Sequence, residues 1–301
     1  MSDDLTAKLS GGFPRDGETP EDCYTRIKSA AQRLTTPCGD GDLVWHVWGA
    51  ENNNATPVIL THGNHGSWSH WIKVIPELSK KYAVYAIDMP GFGESALPPE
   101  DSSLDDITNI MKDGFDQLTT PTTRCHTMGF SLGSTMAGTL ARAFGDRTIS
   151  VLFCAGARLS GEWNIPRDYH SWRKQENKED VLAAHRHNLG VGLFSGHEAV
   201  DDLAVYLQYV NAPQSRIKMR TFATDPNELL NALKDVDAPM YTIWGTLDAF
   251  YPSMIKNWDE LIVGNGLELK RKVFEGVGHW AIYERPEWMN PLILEWFDSH
   301  K

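Results

Sequence analysis

The strongest constraint on this chain is a rhythm of short β-prone apolar runs alternating with amphipathic helical stretches. Residues 57–61 read as a buried strand, 68–80 as a helix with Trp71, Ile72, Ile75 and Leu78 on one face, and 82–87 as a strand. Residues 104–118 form the next helical pattern, 124–128 the next strand, a helix runs on through Ala143, and 148–154 is again a strand. Alternation of this kind implies a mostly parallel central sheet flanked by helices. Ahead of it, Thr19-Pro20-Glu21-Asp22 signals a helix start reaching to about Gln32. Residues 33–37 and 43–48 then read as a hairpin turned by Cys38-Gly39-Asp40-Gly41-Asp42.

The rhythm stops near Arg158. Residues 159–235 read as helical, with no β pattern, and form an insert after the sixth strand. The strand–helix alternation returns with strands over 239–244 and 267–274 and helices over 251–261 and 286–299. The expected organisation is a mobile stretch over 1–18, an α/β core from 19–158 and 236–301, and the helical insert 159–235.

Composition narrows the class of partner. The 301 residues carry a formal net charge of −12, which disfavours nucleic acid, whose phosphates need a basic surface. No apolar run is long enough to span a bilayer, so no membrane association is expected. Met1-Ser2-Asp3-Asp4 is acidic and lacks the apolar core of a secretory signal. Cys23, Cys38, Cys125 and Cys154 are scattered without metal-ligand spacing. Free thiols and a reducing cytoplasm are expected, with no metal and no cofactor. The oligomeric state is not encoded in any pattern here.

Within the rhythm sits Gly129-Phe130-Ser131-Leu132-Gly133, a Gly-x-Ser-x-Gly between a strand and a helix. A strand turning sharply into a helix strains its middle residue and leaves a serine hydroxyl at the tip, beside amides without internal partners. The pattern alone is common in loops. It gains weight from its company. Nucleophilic catalysis by serine needs a base and an acid that orients the base, delivered at the carboxyl ends of strands. Strand 239–244 runs into Gly245-Thr246-Leu247-Asp248, and strand 267–274 into Gly278-His279. The order is Ser131, Asp248, His279, each after its own strand. An oxyanion needs two backbone amides, and Leu132 and Asn64 are the candidates. His62 reads as a brace for its loop, while His65 and His70 default to surface exposure.

These pieces resemble the α/β-hydrolase superfamily, in its form with a helical cap. The matching residues are His62-Gly63-Asn64, Asp88-x-x-Gly91-x-Gly93-x-Ser95, the Ser131 pentapeptide, Gly245-x-x-Asp248 and Gly278-His279-Trp280. The resemblance implies Ser131 as nucleophile, His279 as general base and then acid, Asp248 as its orienter, and a structural role for residues 88–95. It also implies that 159–235 is the cap. Serine at position 131 sets the chain apart from haloalkane dehalogenases and epoxide hydrolases, which carry Asp there. Phe130 and Leu132-Gly133-Ser134 depart from the Asn and Met-Gly-Gly common in hydrolases of meta-cleavage products, although Gly-His-Trp agrees with them. Cofactor-free haloperoxidases share the triad.

The expected activity is hydrolysis of a small carboxylic ester through an acyl-enzyme, with a small-molecule substrate as the partner. Amide, carbamate and C–C bond cleavage stand as alternatives, and a small-molecule receptor on the same fold is the non-enzymatic one. Trp68, Trp71, Phe130 and Trp280 flank the site loops and are the candidate substrate-binding walls, against the alternative of ordinary packing. Arg158 at the edge of the insert and Arg167, Arg173, Arg186, Arg216 and Arg220 within it are candidate partners for a substrate carboxylate, as in a monoester of a dicarboxylic acid.

Overall fold

The computed structural model describes residues 7–51, 54–156, 164, 166–217, 227–252, 257, 260 and 262–301. Helix α1 spans Pro20–Ser29 and is capped by the Thr19 hydroxyl, which accepts from the Asp22 amide at 3.1 Å. Residues 7–18 are held against it. Leu9 is buried, and the Arg26 guanidinium donates to the carbonyls of Lys8 and Gly12.

Strands β1 (Gln32–Cys38) and β2 (Gly41–Trp48) form an antiparallel hairpin. Gly39 takes φ 55 in its two-residue turn, a conformation glycine adopts without steric cost. Strands β3 (Pro57–Thr61) and β4 (Ala83–Asp88) follow. Then come α2 (Leu104–Leu118), β5 (Cys125–Phe130), α3 (Leu132–Phe144) and β6 (Thr148–Cys154). After the helical segment come β7 (Met240–Gly245) and β8 (Leu269–Phe274). The eight strands lie in the order β1-β2-β4-β3-β5-β6-β7-β8. Pairing is parallel from β4 to β8 and antiparallel at β1 and β2.

Both faces of the sheet are covered. Val58, Leu60, Val84 and Ala86 join one apolar cluster, and Ile59, Ala83, Tyr85 and Ile87 the other. Alternate residues of a strand point to opposite faces. A strand buried on both therefore reads as a continuous apolar run, which is why β4 and β6 were legible.

The expected helix over 68–80 is instead two short pieces, a 3₁₀ turn Trp68–Trp71 and an α turn Ile75–Leu78. Pro76 has no amide proton and cannot continue an α-helical ladder there. The Trp68 amide is taken by the Asp88 carboxylate at 2.8 Å. The expected helix over 251–261 lies largely outside the described residues.

Between β6 and β7 the described residues form no strand. They hold α4 (Lys178–Gly192), α5 (Asp202–Asn211), α6 (Glu228–Leu233) and several 3₁₀ turns. Asn177 caps α4 by accepting from the Asp180 amide. Helix α6 packs on α3, where a Cβ on Gly138 would meet Leu229 at 2.3 Å. Helix α7 (Pro286–Asp298) closes the chain.

Candidate active site

The turn from β5 into α3 is as tight as the motif requires. Ser131 has φ 51 and ψ −119. Few L-residues occupy such backbone, and holding one there costs about 1–3 kcal/mol. A Cβ on Gly129 would lie 2.3 Å from the Gly133 carbonyl oxygen, and one on Gly133 only 2.1 Å from that of Thr61. Both glycines are therefore needed for the crossing of backbones. The Ser131 amide is fixed by the Cys154 carbonyl at 2.9 Å.

Asp248 and His279 meet at the ends of β7 and β8. His279 Nδ1 lies 2.7 Å from Asp248 Oδ2, and both residues are buried. The other carboxylate oxygen, Oδ1, accepts from the amides of Phe250 (2.9 Å) and Tyr251 (3.1 Å). An ionised carboxylate only accepts, so Nδ1 carries the ring proton and Nε2 keeps a lone pair. The two loops are laced together: Leu247 donates to the Val277 carbonyl, and the Gly276 amide to Thr246 Oγ1. A Cβ on Gly245 would lie 2.1 Å from the Val277 carbonyl oxygen. The His279 loop is also anchored to the end of α4. Trp280 donates to the Leu193 carbonyl at 2.8 Å. The Glu284 carboxylate accepts from the Gly278 amide and from both the amide and hydroxyl of Ser195.

Ser131 and His279 line one cavity of about 530 Å³, and Asn64 and Leu132 line it with them. The amides of Asn64 and Leu132 donate to no protein acceptor among the described residues. The neighbouring Gly63 amide is already used, donating to His70 Nδ1 at 3.2 Å. His62 braces the loop as expected. Its Nε2 accepts from the Met89 amide, so Nδ1 donates to the Gly63 carbonyl. Burial lowers its pKa, against the opposing charge of Asp88. Residues 88–95 are structural too. Asp88 accepts from the amides of Trp68 and Glu94, and the Ser95 hydroxyl bridges the Asp88 carbonyl and the Val44 amide.

Other expectations need correction. Trp68 and Trp71 are fully buried and absent from the cavity wall. Trp68 packs on Tyr24, His46 and Trp48 at 5.1–5.4 Å between ring centroids. Trp280 stands one layer behind the wall, stacked on Phe130 and Tyr283, its indole N–H donating to the His70 carbonyl. Of the four proposed walls only Phe130 faces the cavity. His70 is not exposed but 2% accessible, and burial holds its pKa well below the ordinary range. The loop folds over its ring so closely that a Cβ on Gly66 would lie 2.2 Å away. His65, at φ 55, lines the cavity.

The remaining wall comes from residues that no motif marks. Tyr169, Trp172, His185, Leu189 and Leu193 belong to the helical segment, and Phe250 and Tyr251 to the Asp248 loop. The last two stand within three residues of Asp248, the same adjacency that singled out Trp280. Among the described residues, His185 Nε2 and His65 Nδ1 are buried without a hydrogen-bond partner. Burial takes His185 down to about 4, with His65 adding to the shift. Of the six candidate arginines, Arg173 reaches the cavity. Arg186 is spent on Asp202 and the Val200 carbonyl, and Arg216 on the carbonyls of Gly93 and Ser95. Arg167 is exposed, and Arg158 and Arg220 lie outside the described residues.

The family model described as "Alpha/beta hydrolase family" matches residues 58–292. Among curated relatives, a 2-hydroxy-6-oxononadienedioate/2-hydroxy-6-oxononatrienedioate hydrolase of Paraburkholderia xenovorans is 23% identical, covering 85% of this chain and 91% of its own. A pimeloyl-[acyl-carrier protein] methyl ester esterase of Photobacterium profundum is 26% identical, covering 81% and 94%. Among solved structures, naproxen esterase from Bacillus subtilis superposes with a TM-score of 0.68 at 18% identity, over 92% of this chain and 96% of that one.

Proposed function

Because the chain belongs to the α/β-hydrolase family, we propose that it is a serine hydrolase that cleaves a small carboxylic ester through an acyl-enzyme. The observation that carries this reading is the His279–Asp248 bond of 2.7 Å at the edge of a cavity that Ser131 also lines. In the proposed mechanism, His279 Nε2 takes the Ser131 proton as Oγ attacks the ester carbonyl. The Asn64 and Leu132 amides hold the oxyanion. Collapse of the tetrahedral intermediate breaks the C–O bond, and His279 gives the proton to the departing alcohol. Water deprotonated by His279 then attacks the acyl-serine and frees the acid. No cofactor is needed by these steps. The helical segment between β6 and β7 acts as the cap, supplying Tyr169, Trp172 and Leu189 to the wall.

The proposed substrate bears a carboxylate on its acyl or alcohol part. Arg173 supports this, since it lines the cavity and makes no ion pair among the described residues. Its charge also contributes, after burial, to lowering the pKa of His65. The unpartnered ring nitrogens of His65 and His185 add polar contacts. Four buried, free cysteines accord with a reducing compartment, and the proposed location is the cytoplasm. Among the described residues no helix is long and apolar enough to cross a membrane.

A matched set of neutral and anionic p-nitrophenyl and phthalate-type esters tests the reading. Wild type should turn over the anionic members best, and Ser131→Ala should lose nearly all activity. Arg173→Met should raise KM for the anionic esters about tenfold, the scale of one charge-assisted hydrogen bond, and leave the neutral ones alone. Equal hydrolysis of both series would remove the carboxylate subsite. The dienedioate hydrolase relative favours a second reading, C–C cleavage. Turnover of a meta-cleavage product with no ester turnover would establish it.

A further inference from the structure

No local spacing in the sequence suggests a metal site, yet the fold gathers Asp168, His170 and His187 with one ligand atom from each within 4.8 Å of the others. His187 lies on α4, and the other two on the segment that crosses it. The crossing is braced by Asn188, whose side-chain oxygen accepts from the His170 amide at 2.7 Å and whose NH₂ donates to the His170 carbonyl at 2.8 Å. Three donors are thus held on two backbones that are already fixed to each other. Asp168 forms no ion pair with Lys or Arg among the described residues; the ring nitrogen beside it is His187 Nε2 at 3.3 Å. A second group of similar composition, His46, Asp88 and Glu94, is different. There Glu94 is paired with Lys28 and Arg33, and Asp88 is occupied by two backbone amides.

We propose that Asp168, His170 and His187 bind a divalent first-row transition cation, with Zn²⁺ as the probe. Imidazole and carboxylate are the donors such ions take from proteins. The partner behind His187 is also in place. His187 now donates from Nε2 to the Asp168 carbonyl at 2.7 Å, and its Nδ1 lies 3.3 Å from His197 Nε2. Ligation through Nε2 gives up the bond to the Asp168 carbonyl and moves the ring proton to Nδ1, where it is donated to His197 Nε2 once the His197 proton sits on that ring's own Nδ1. A metal-bound imidazole characteristically donates its other N–H to an acceptor, commonly a carboxylate, a backbone carbonyl or water; here the acceptor is an imidazole nitrogen. His197 is held there by a close approach to α4, since a Cβ on Gly190 would lie 2.7 Å from its ring.

One adjustment is required. The His170 and His187 rings are stacked, 3.8 Å apart and 7° from parallel. Lone pairs in parallel planes cannot converge on one ion, so the exposed His170 ring turns to another rotamer. His170 and Asn188 also line the cavity that Ser131 faces. The cation therefore sits at its rim, tying the crossing segment to α4. The site does not depend on the ester reading.

Calorimetric titration of the untagged protein with Zn²⁺ tests this, with the visible absorption of Co²⁺ as a coordination readout. The expected result is one saturable site per chain, abolished in His170→Ala and in His187→Ala. In His197→Ala it should persist about 10- to 100-fold weaker, as for loss of a partner behind a ligand. The exposure of His170 makes its replacement safe for the fold, and unchanged thermal unfolding of that variant checks it. No saturable binding by wild type would overturn the proposal, as would equal binding by the His170→Ala and His187→Ala proteins.

Discussion

Ser131 carries the cost of its own position. At φ 51 and ψ −119 a side chain is strained, and the strain is tolerated because the flanking glycines and the Cys154 carbonyl leave no alternative path. Ser131→Gly and Ser131→Ala should both be inactive but not equally stable. After allowing for the greater freedom of glycine in the unfolded chain, the Gly variant should be the more stable by about 1 kcal/mol. Urea unfolding of the pair measures this, and an Ala variant as stable as the Gly variant would mean that the turn is unstrained. The placing of Ser131, Asp248 and His279 at the ends of β5, β7 and β8 was legible because each follows its own strand, and strand order fixes where their loops lie. Trp68, Trp71 and Trp280 were misread because nearness along the chain does not say which side of a loop a ring takes. In the fold, Trp68 turns to the β2 side and Trp280 supports Phe130 from behind.

At the scale of elements, the site depends on a tie between the His279 loop and the end of α4. Glu284 makes it, accepting from Gly278 on one side and Ser195 on the other. Glu284→Ala leaves these donors without their acceptor and should cost about 2 kcal/mol of stability. It should lower kcat for any ester substrate with little change in KM, because His279 is misplaced while the cavity wall remains. A change in KM alone would contradict the tie. Signals that rest on local chemistry were readable here. Thr19-Pro20 started α1, and Gly39 turned the hairpin. The helical segment was readable as helical but not as a cavity wall, since Tyr169, Trp172 and His185 carry no motif. They reach the cavity by long-range packing alone.

Four buried histidines tie the stability of the whole molecule to pH. Burial is the leading cause of the lowered pKa values of His62, His70, His126 and His185, with His126 at about 3 and His185 at about 4. An unfolded histidine titrates near 6.5. Below that pH the unfolded chain binds protons that the native chain does not, so stability falls as pH drops from 6.5 toward each folded pKa. It is fully present above 6.5. Each such residue contributes a slope of about 1.4 kcal/mol per pH unit in that window. Between pH 7.5 and 5.5, where most carboxylates remain ionised, the urea midpoint should hold down to about 6.5 and fall steeply below it. A His126→Phe variant should show a shallower fall. A midpoint that does not move over that range would refute the neutral-histidine account. The sequence could not reveal this, because a histidine in a β-prone run looks the same whether its ring packs against Phe297, as His126 does, or meets water.

The most direct test of the acyl-enzyme at Ser131 is intact-mass and peptide-mapping analysis of protein quenched with acid during turnover of a p-nitrophenyl ester. An acyl adduct is expected on the peptide containing Ser131, formed with a burst of p-nitrophenol and absent from Ser131→Ala. Undiminished ester turnover by the Ser131→Ala protein, or an adduct on another residue, would contradict it.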